Sequence, residues 1–159
     1  MDSLQSTLVS LTGLRNISLL VVPALWVNSI AAHFYAVSLT RGRFTNSSPR
    51  DYLSSIQKKE KKTSTDLKFI RAEAAQQNGF ENLPFAAAAF VAGIVAKLPV
   101  AELNSWALLY LISRVVYNLL YINTTSESLS NARSVVFVGG IGILFKIFIS
   151  SAIALNKLA

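Results

Sequence analysis

Cysteine is absent from the 159-residue chain, and methionine and histidine each occur once. These absences exclude a disulfide scaffold, a thiolate metal site and a cysteine nucleophile, so any thiol chemistry must use a thiol carried by another molecule. His33 alone cannot build a multi-histidine metal site or a triad with a cysteine nucleophile. Charge is scarce as well: 14% of residues are charged, against roughly 25% in an ordinary soluble domain. What charge there is leans positive, with 15 Lys and Arg against 8 Asp and Glu for a net +7. That balance suits either a nucleic-acid binder or a protein on an anionic membrane. A mean hydropathy of +0.45 is too apolar for a basic RNA-binding module, so membrane lipid is the expected partner and nucleic acid is not.

What the chain does have is long apolar runs. Residues 16–39 contain no Lys, Arg, Asp or Glu, and as a helix they would reach about 36 Å, enough to cross a bilayer core. Pro23 lies in the first half of this span, where a kink is tolerable if neighbours satisfy the freed carbonyl. A cleaved signal peptide is the competing reading; against it, the run exceeds an h-region of ~7–15 residues and no basic cluster precedes it. A second span is expected at 69–96, joining LPFAAAAFVAGIVA to the helix-compatible RAEAAQQNGFEN, whose polar end must be hidden in protein. A third at 103–122 is interrupted only by Arg114, and a fourth at 135–155 only by Lys146, whose role stays unassigned. The links KLPVAE and NTTSESLSN are short, as antiparallel neighbours require. With no competing strand pattern, the expected fold is an all-α membrane protein, a four-transmembrane-helix bundle in which 1–159 form a single domain.

The hydrophilic segment 40–68 carries RGRF, NSSPRDY and KKEKK and reads as a solvated loop or helix extension. A nuclear signal is rejected because the flanking spans hold this segment at a membrane surface, within reach of anionic headgroups. Its cations place it in the cytoplasm by the positive-inside rule, with both termini opposite. Asn46 and Asn123 then face the cytosol and stay unglycosylated, and Asn16 lies too near the bilayer to be a good acceptor.

Ionisable residues inside spans cost several kcal/mol unless paired or hydrated, so they mark candidate function. On the second span Arg71 and Asn78 are seven positions apart, hence about 20° apart around the helix, with Glu81 about 60° further on. On the third, Arg114, Tyr117 and Tyr121 share a face at i, i+3 and i+7. Counted from the basic side, Arg114 and Asn78 lie at similar depth, ~12 and ~15 Å, and Arg133 and Ser134 open the fourth span at that surface. The expected result is a cavity in the cytoplasmic half of the bilayer lined by all eight side chains. Arginines clamp carboxylates, Glu81 accepts from an ammonium or holds Arg114, and a guest thiol there would be acidified from about 8.5. The plainer alternative makes Arg114 and Glu81 a structural ion pair and the tyrosines part of an interfacial aromatic belt. His33 reads as a packed or interfacial side chain, and the small residues Ala88, Ala92, Gly93, Gly139, Gly140 and Gly142 as sites of close helix approach.

The stretch RAEAAQQNGFENLPFAAAAFVAG at 71–93 resembles the signature helix of the MAPEG family, the membrane-associated proteins in eicosanoid and glutathione metabolism. RVVYNLLY at 114–121, a short loop and ARS at 132–134 resemble that family's third and fourth helices. The resemblance implies a homotrimer in an internal membrane, the endoplasmic reticulum being expected, with glutathione as cosubstrate between subunits and lipophilic small molecules arriving from the bilayer. It implies catalytic roles for Arg133, Ser134 and Tyr117, and glutathione contacts from Arg71, Asn78, Glu81, Arg114 and Tyr121. Arg41 or Arg43 would supply a further cation, Arg43 being the preferred candidate. The chain departs from the family pattern at Ala74 and Gln76, where an Arg and a His are usual, and Arg71 would have to substitute from one turn earlier. The expected activity is a membrane glutathione transferase or glutathione-dependent peroxidase. The alternative is a non-catalytic scaffold or partner-binding protein of the same fold, motivated by Ala74 and the KKEKK loop.

Overall fold

The structure, a computed structural model, describes residues 6–7 and 15–157, with 127–130 described as backbone only. The expected single domain of 1–159 therefore extends over residues at both ends that lie outside the described set. Among the described residues there are helices and no strands. A 3-10 turn at Ser18–Leu20 leads into α1 (Val21–Ser38); then come α2 (Pro49–Gln57), α3 (Ser64–Val95), α4 (Val100–Asn123) and α5 (Glu127–Asn156). Three helical segments are long and apolar enough to cross a membrane: Ser18–Ser38, Val100–Asn123 and Asn131–Asn156. The polar first half of α3 keeps it out of that set.

Pro23 falls in the first turn of α1 rather than mid-helix, so its missing N–H opens no gap in the interior of the span. The turn before it is tied to α4: Asn104 donates to the Arg15 carbonyl at 2.9 Å and accepts from the Ile17 N–H at 3.0 Å. Of the two forms expected for the basic segment, the structure shows the helical one: α2 and the first turn of α3 lie within 40–68. Pro49 starts α2 at a position where no N–H is needed, and Tyr52 meets Phe69 edge-on at 5.2 Å and Phe44 at 5.9 Å. Phe44 in turn stands edge-on to His33 at 5.7 Å, and His33 Nδ1 lies 2.7 Å from Glu73 Oε1. These contacts fold α2 against α3 and the end of α1.

A capping box sets the start of α3: Thr63 Oγ1 accepts from the Asp66 N–H at 3.1 Å, and Asp66 Oδ2 accepts from the Thr63 N–H at 3.0 Å. Lys59 adds an ion pair to Asp66 at 3.0 Å. The Thr63 backbone N–H first, then Lys59, hold the Asp66 carboxyl down at about 2.

The long helices run antiparallel in sequence, and their side chains sort into layers. Far from the basic segment, Val21, Leu25, Phe90, Leu103, Tyr110, Leu144 and Ile147 form one buried apolar cluster. Beside the basic segment, Ala32, Ala36, Ile56, Phe69, Ala72 and Ile122 form another. Between them lies a polar layer, and it carries the candidate site.

Candidate functional site

Two of the recesses in that layer bear on the candidate site. The first is a cleft of about 380 Å³ lined by Asn78 of α3, Tyr117 and Tyr121 of α4, and Arg133, Ser134, Phe137 and Val138 of α5. Antiparallel packing of α4 on α5 makes it: Arg133 sits over the Tyr121 ring at 4.5 Å, and Tyr117 faces Phe137 with centroids 5.8 Å apart. The rings of Tyr117 and Tyr121 are themselves 5.5 Å apart. The volume is within the range of about 300–1,000 Å³ typical of small-molecule sites. Its chemistry is one guanidinium, three hydroxyls and an amide against an apolar back wall, a set suited to an anionic or polarisable guest.

The second recess is a narrow, partly open chamber of about 10 Å³ whose polar lining is Asn28, Ser29, Asn78, Tyr110, Arg114, Tyr117 and Asn118. Asn78 and Tyr117 belong to both recesses. Arg114 is 4% exposed and sits among the rings of Tyr110, Tyr117 and Phe137 at 5.2, 5.1 and 5.2 Å. Such desolvated cation–π contacts contribute up to about 2 kcal/mol each and offset part of the burial cost. Nη2 donates to the carbonyls of Val136 and Phe137 at 3.4 and 3.3 Å, while Nε and Nη1 are buried without an acceptor. The approach is possible because α5 has Gly140 here: a Cβ would stand 2.3 Å from Nη2. Gly79 plays the same part between α3 and α1, where a Cβ would stand 2.2 Å from Ser29 Oγ. Asn118 fastens α4 to α1 by donating to the Asn28 carbonyl at 3.1 Å.

The expected single cavity of eight polar residues is thus divided. Asn78, Tyr117, Tyr121, Arg133 and Ser134 come together. Arg114 shares a face with the tyrosines but is drawn into the chamber, where Gly140 gives it room. Arg71 is not in the cleft wall; its Nε donates to the Ile122 carbonyl at 3.0 Å and closes the end of α4 onto α3. Glu81 neither pairs with Arg114 nor lines the cleft, because its position on α3 is exposed and it accepts from Gln77 at 2.9 Å, one turn back. Both readings that joined Glu81 to Arg114 are corrected. Arg43 is exposed beyond α1, with Nε donating to the Thr40 carbonyl at 3.2 Å. Lys146 is exposed on α5 and forms no ion pair among the described residues.

Sequence reasoning missed Phe137 and Val138 as cleft walls and Asn28, Ser29 and Asn118 as chamber walls. Asn118 had a signal: it follows Tyr117 and is one turn from Arg114, so it belongs to the polar side of α4. Gly140 was noted as a site of close approach, without the guanidinium it accommodates. Among the described residues, no group of three His, Asp or Glu could hold a metal ion.

Against known proteins, neither a curated protein nor a solved structure matches the chain. The sequence model of the MAPEG family does match, over residues 17–153 of the 159.

Proposed function

The chain belongs to the MAPEG family, and from that premise we propose that it is a membrane glutathione transferase or glutathione-dependent peroxidase acting on lipophilic electrophiles. In this reading α1, α3, α4 and α5 all span the bilayer, the polar part of α3 is covered by neighbouring copies in a homotrimer, and the basic segment lies in the cytoplasm, the membrane being that of the endoplasmic reticulum. The supporting observation is the cleft of Asn78, Tyr117, Tyr121, Arg133 and Ser134.

Those residues fit part of glutathione. Arg133 and the hydroxyls of Ser134 and Tyr117 favour thiolate over thiol, lowering the thiol from its free value of about 8.5 so that a nucleophile exists near neutral pH. The proton leaves to water. The thiolate then attacks the electrophile, the carbon–sulfur bond forming as the leaving group departs with its electron pair. For a hydroperoxide the sulfur takes the terminal oxygen as the oxygen–oxygen bond breaks, the alkoxide takes a proton from water and leaves as the alcohol, and a second glutathione condenses with the resulting sulfenic acid to give the disulfide and water. Asn78 and Tyr121 hold the peptide part. One cation for two carboxylates leaves the site short of positive charge, which a neighbouring copy's Arg43 or Arg41 would supply in the trimer.

A scaffold function is the second reading. It is favoured by Ala74 at a position where the family usually has a cation, and by the engagement of Arg71 with Ile122 and of Glu81 with Gln77. Glutathione titration of detergent-purified protein, followed by thiolate absorbance and by conjugation of a chlorinated aromatic electrophile, separates the two. Saturable thiolate with turnover supports the enzyme. Saturation without turnover, or no binding at millimolar glutathione, supports the scaffold.

A further inference from the structure

We infer that the narrow chamber beside Arg114 is a binding site for one small inorganic anion of the halide class, across the wall of Asn78 and Tyr117 from the cleft and from whatever the cleft binds. Three observations carry this. The first is charge. Arg114 lies in the membrane-embedded layer at 4% exposure, and its guanidinium forms no ion pair among the described residues, whose ion pairs are His33–Glu73 and Lys59–Asp66. A buried cation without a counter-charge costs several kcal/mol even after relaxation.

The second is the donor balance. Nε and Nη1 of Arg114 are buried with no acceptor, and a buried charged donor left unmade is costly. Around the same chamber stand Asn28, Asn78, Tyr110 and Tyr117. The side-chain amide nitrogens of Asn28 and Asn78 make no hydrogen bond among the described residues but keep some exposed area, so they are free to turn to a guest without being buried and unmet themselves. On the acceptor side stand the lone pairs of Ser29, whose hydroxyl proton goes to the Leu25 carbonyl, and the amide oxygen of Asn118, whose nitrogen serves the Asn28 carbonyl. Nε and Nη1 of Arg114 are the buried side-chain atoms left without a partner among the described residues, and they belong to a positively charged group.

The third is size. A chamber of about 10 Å³ is close to the one-probe-sphere volume that holds a single water. A phosphate, a sulfate or a peptide carboxylate with its chain does not fit, whereas a monatomic anion does with small adjustments of the lining amides. Water, the neutral occupant of the same size, would satisfy donors but leave the charge uncompensated.

The direct test is a structure of the purified protein determined in bromide with data at the bromine absorption edge. The expected result is an anomalous peak within hydrogen-bonding distance of Arg114 Nε or Nη1. Density of water strength with no anomalous signal, or a glutathione carboxylate in that place, overturns the inference while leaving the cleft reading intact. A solution test runs beside it: thermal unfolding in detergent with chloride titrated against gluconate at constant ionic strength. Wild type should gain a saturable rise in Tm of about 2–4 °C, and Arg114→Gln should gain none. An equal response in both, or no saturable response in wild type, contradicts the site. If Arg114→Gln does not fold, Asn28→Leu, which fills the chamber and leaves the guanidinium, should also abolish the chloride response; a retained response overturns the inference.

Discussion

Two arginines stand on α4 and α5 on either side of a wall shared by Asn78 and Tyr117, and their surroundings give them different work. Arg133 is half-buried over Tyr121 and opens onto a cleft large enough for a tripeptide. Arg114 is enclosed by three rings against Gly140, beside a narrow chamber of about 10 Å³. A cation reachable from solvent can bind, exchange and stabilise a developing negative charge. One buried in the same layer holds its neighbours and whatever fits the narrow recess against it. Residue type and depth alone do not separate these roles; the small residue on the facing helix does.

Removing the accessible guanidinium should have the largest effect. Arg133→Ala is expected to lower kcat/KM for conjugation by about 10²–10³-fold, the range for losing one donor to a developing anion, while changing Tm little. Steady-state kinetics and thermal unfolding of the same preparation check both halves, and a variant that loses both together would erase the distinction between the regions. On the Arg114 side the expected pattern is reversed. Gly140→Ala forces a Cβ against Arg114 and should destabilise by about 1–3 kcal/mol, whereas Gly139→Ala and Gly142→Ala, whose Cβ positions meet nothing within 4 Å, should fall within about 0.5 kcal/mol. Unfolding midpoints of the three variants measure this, and equal losses at all three would mean that Gly140 is not there for the guanidinium.

A pH effect separates both regions from the rest of the chain. Asp66 has its carboxyl lowered from 3.8 to about 2 by the Thr63 cap and Lys59. Its contribution to stability is therefore full above 3.8 and is lost as pH falls through about 2. Asp66→Asn should remove that acid-labile step from the pH–stability curve without changing glutathione affinity at neutral pH. A shift in affinity would show that the cap at the start of α3 reaches the cleft.

Much of this layering was legible in the chain. Charge-free and singly interrupted runs gave the long helices, and counting from the basic end put Arg114 and Asn78 at one depth, where they do line the same chamber. Helical angle failed at Glu81 and Arg71, because a direction around an axis does not say which partner lies nearest. For Glu81 it was Gln77 one turn away; for Arg71 it was the carbonyl end of α4. For the basic segment the polar composition left a solvated loop and a helix extension both open, and T-x-x-D at Thr63–Asp66 and Pro49 at the start of α2 are the local signals that decide for helix, which apolar periodicity does not register. Polar residues likewise hid the true start of α5 at Glu127, eight positions before its apolar run.

The central claim, that the cleft stabilises a guest thiolate, is tested most directly by titrating glutathione into wild type and Arg133→Ala and recording thiolate absorbance. A saturable rise is expected in wild type, and its loss in the variant. A folded wild-type protein that forms no thiolate at millimolar glutathione, or a variant that forms as much as wild type, would contradict it.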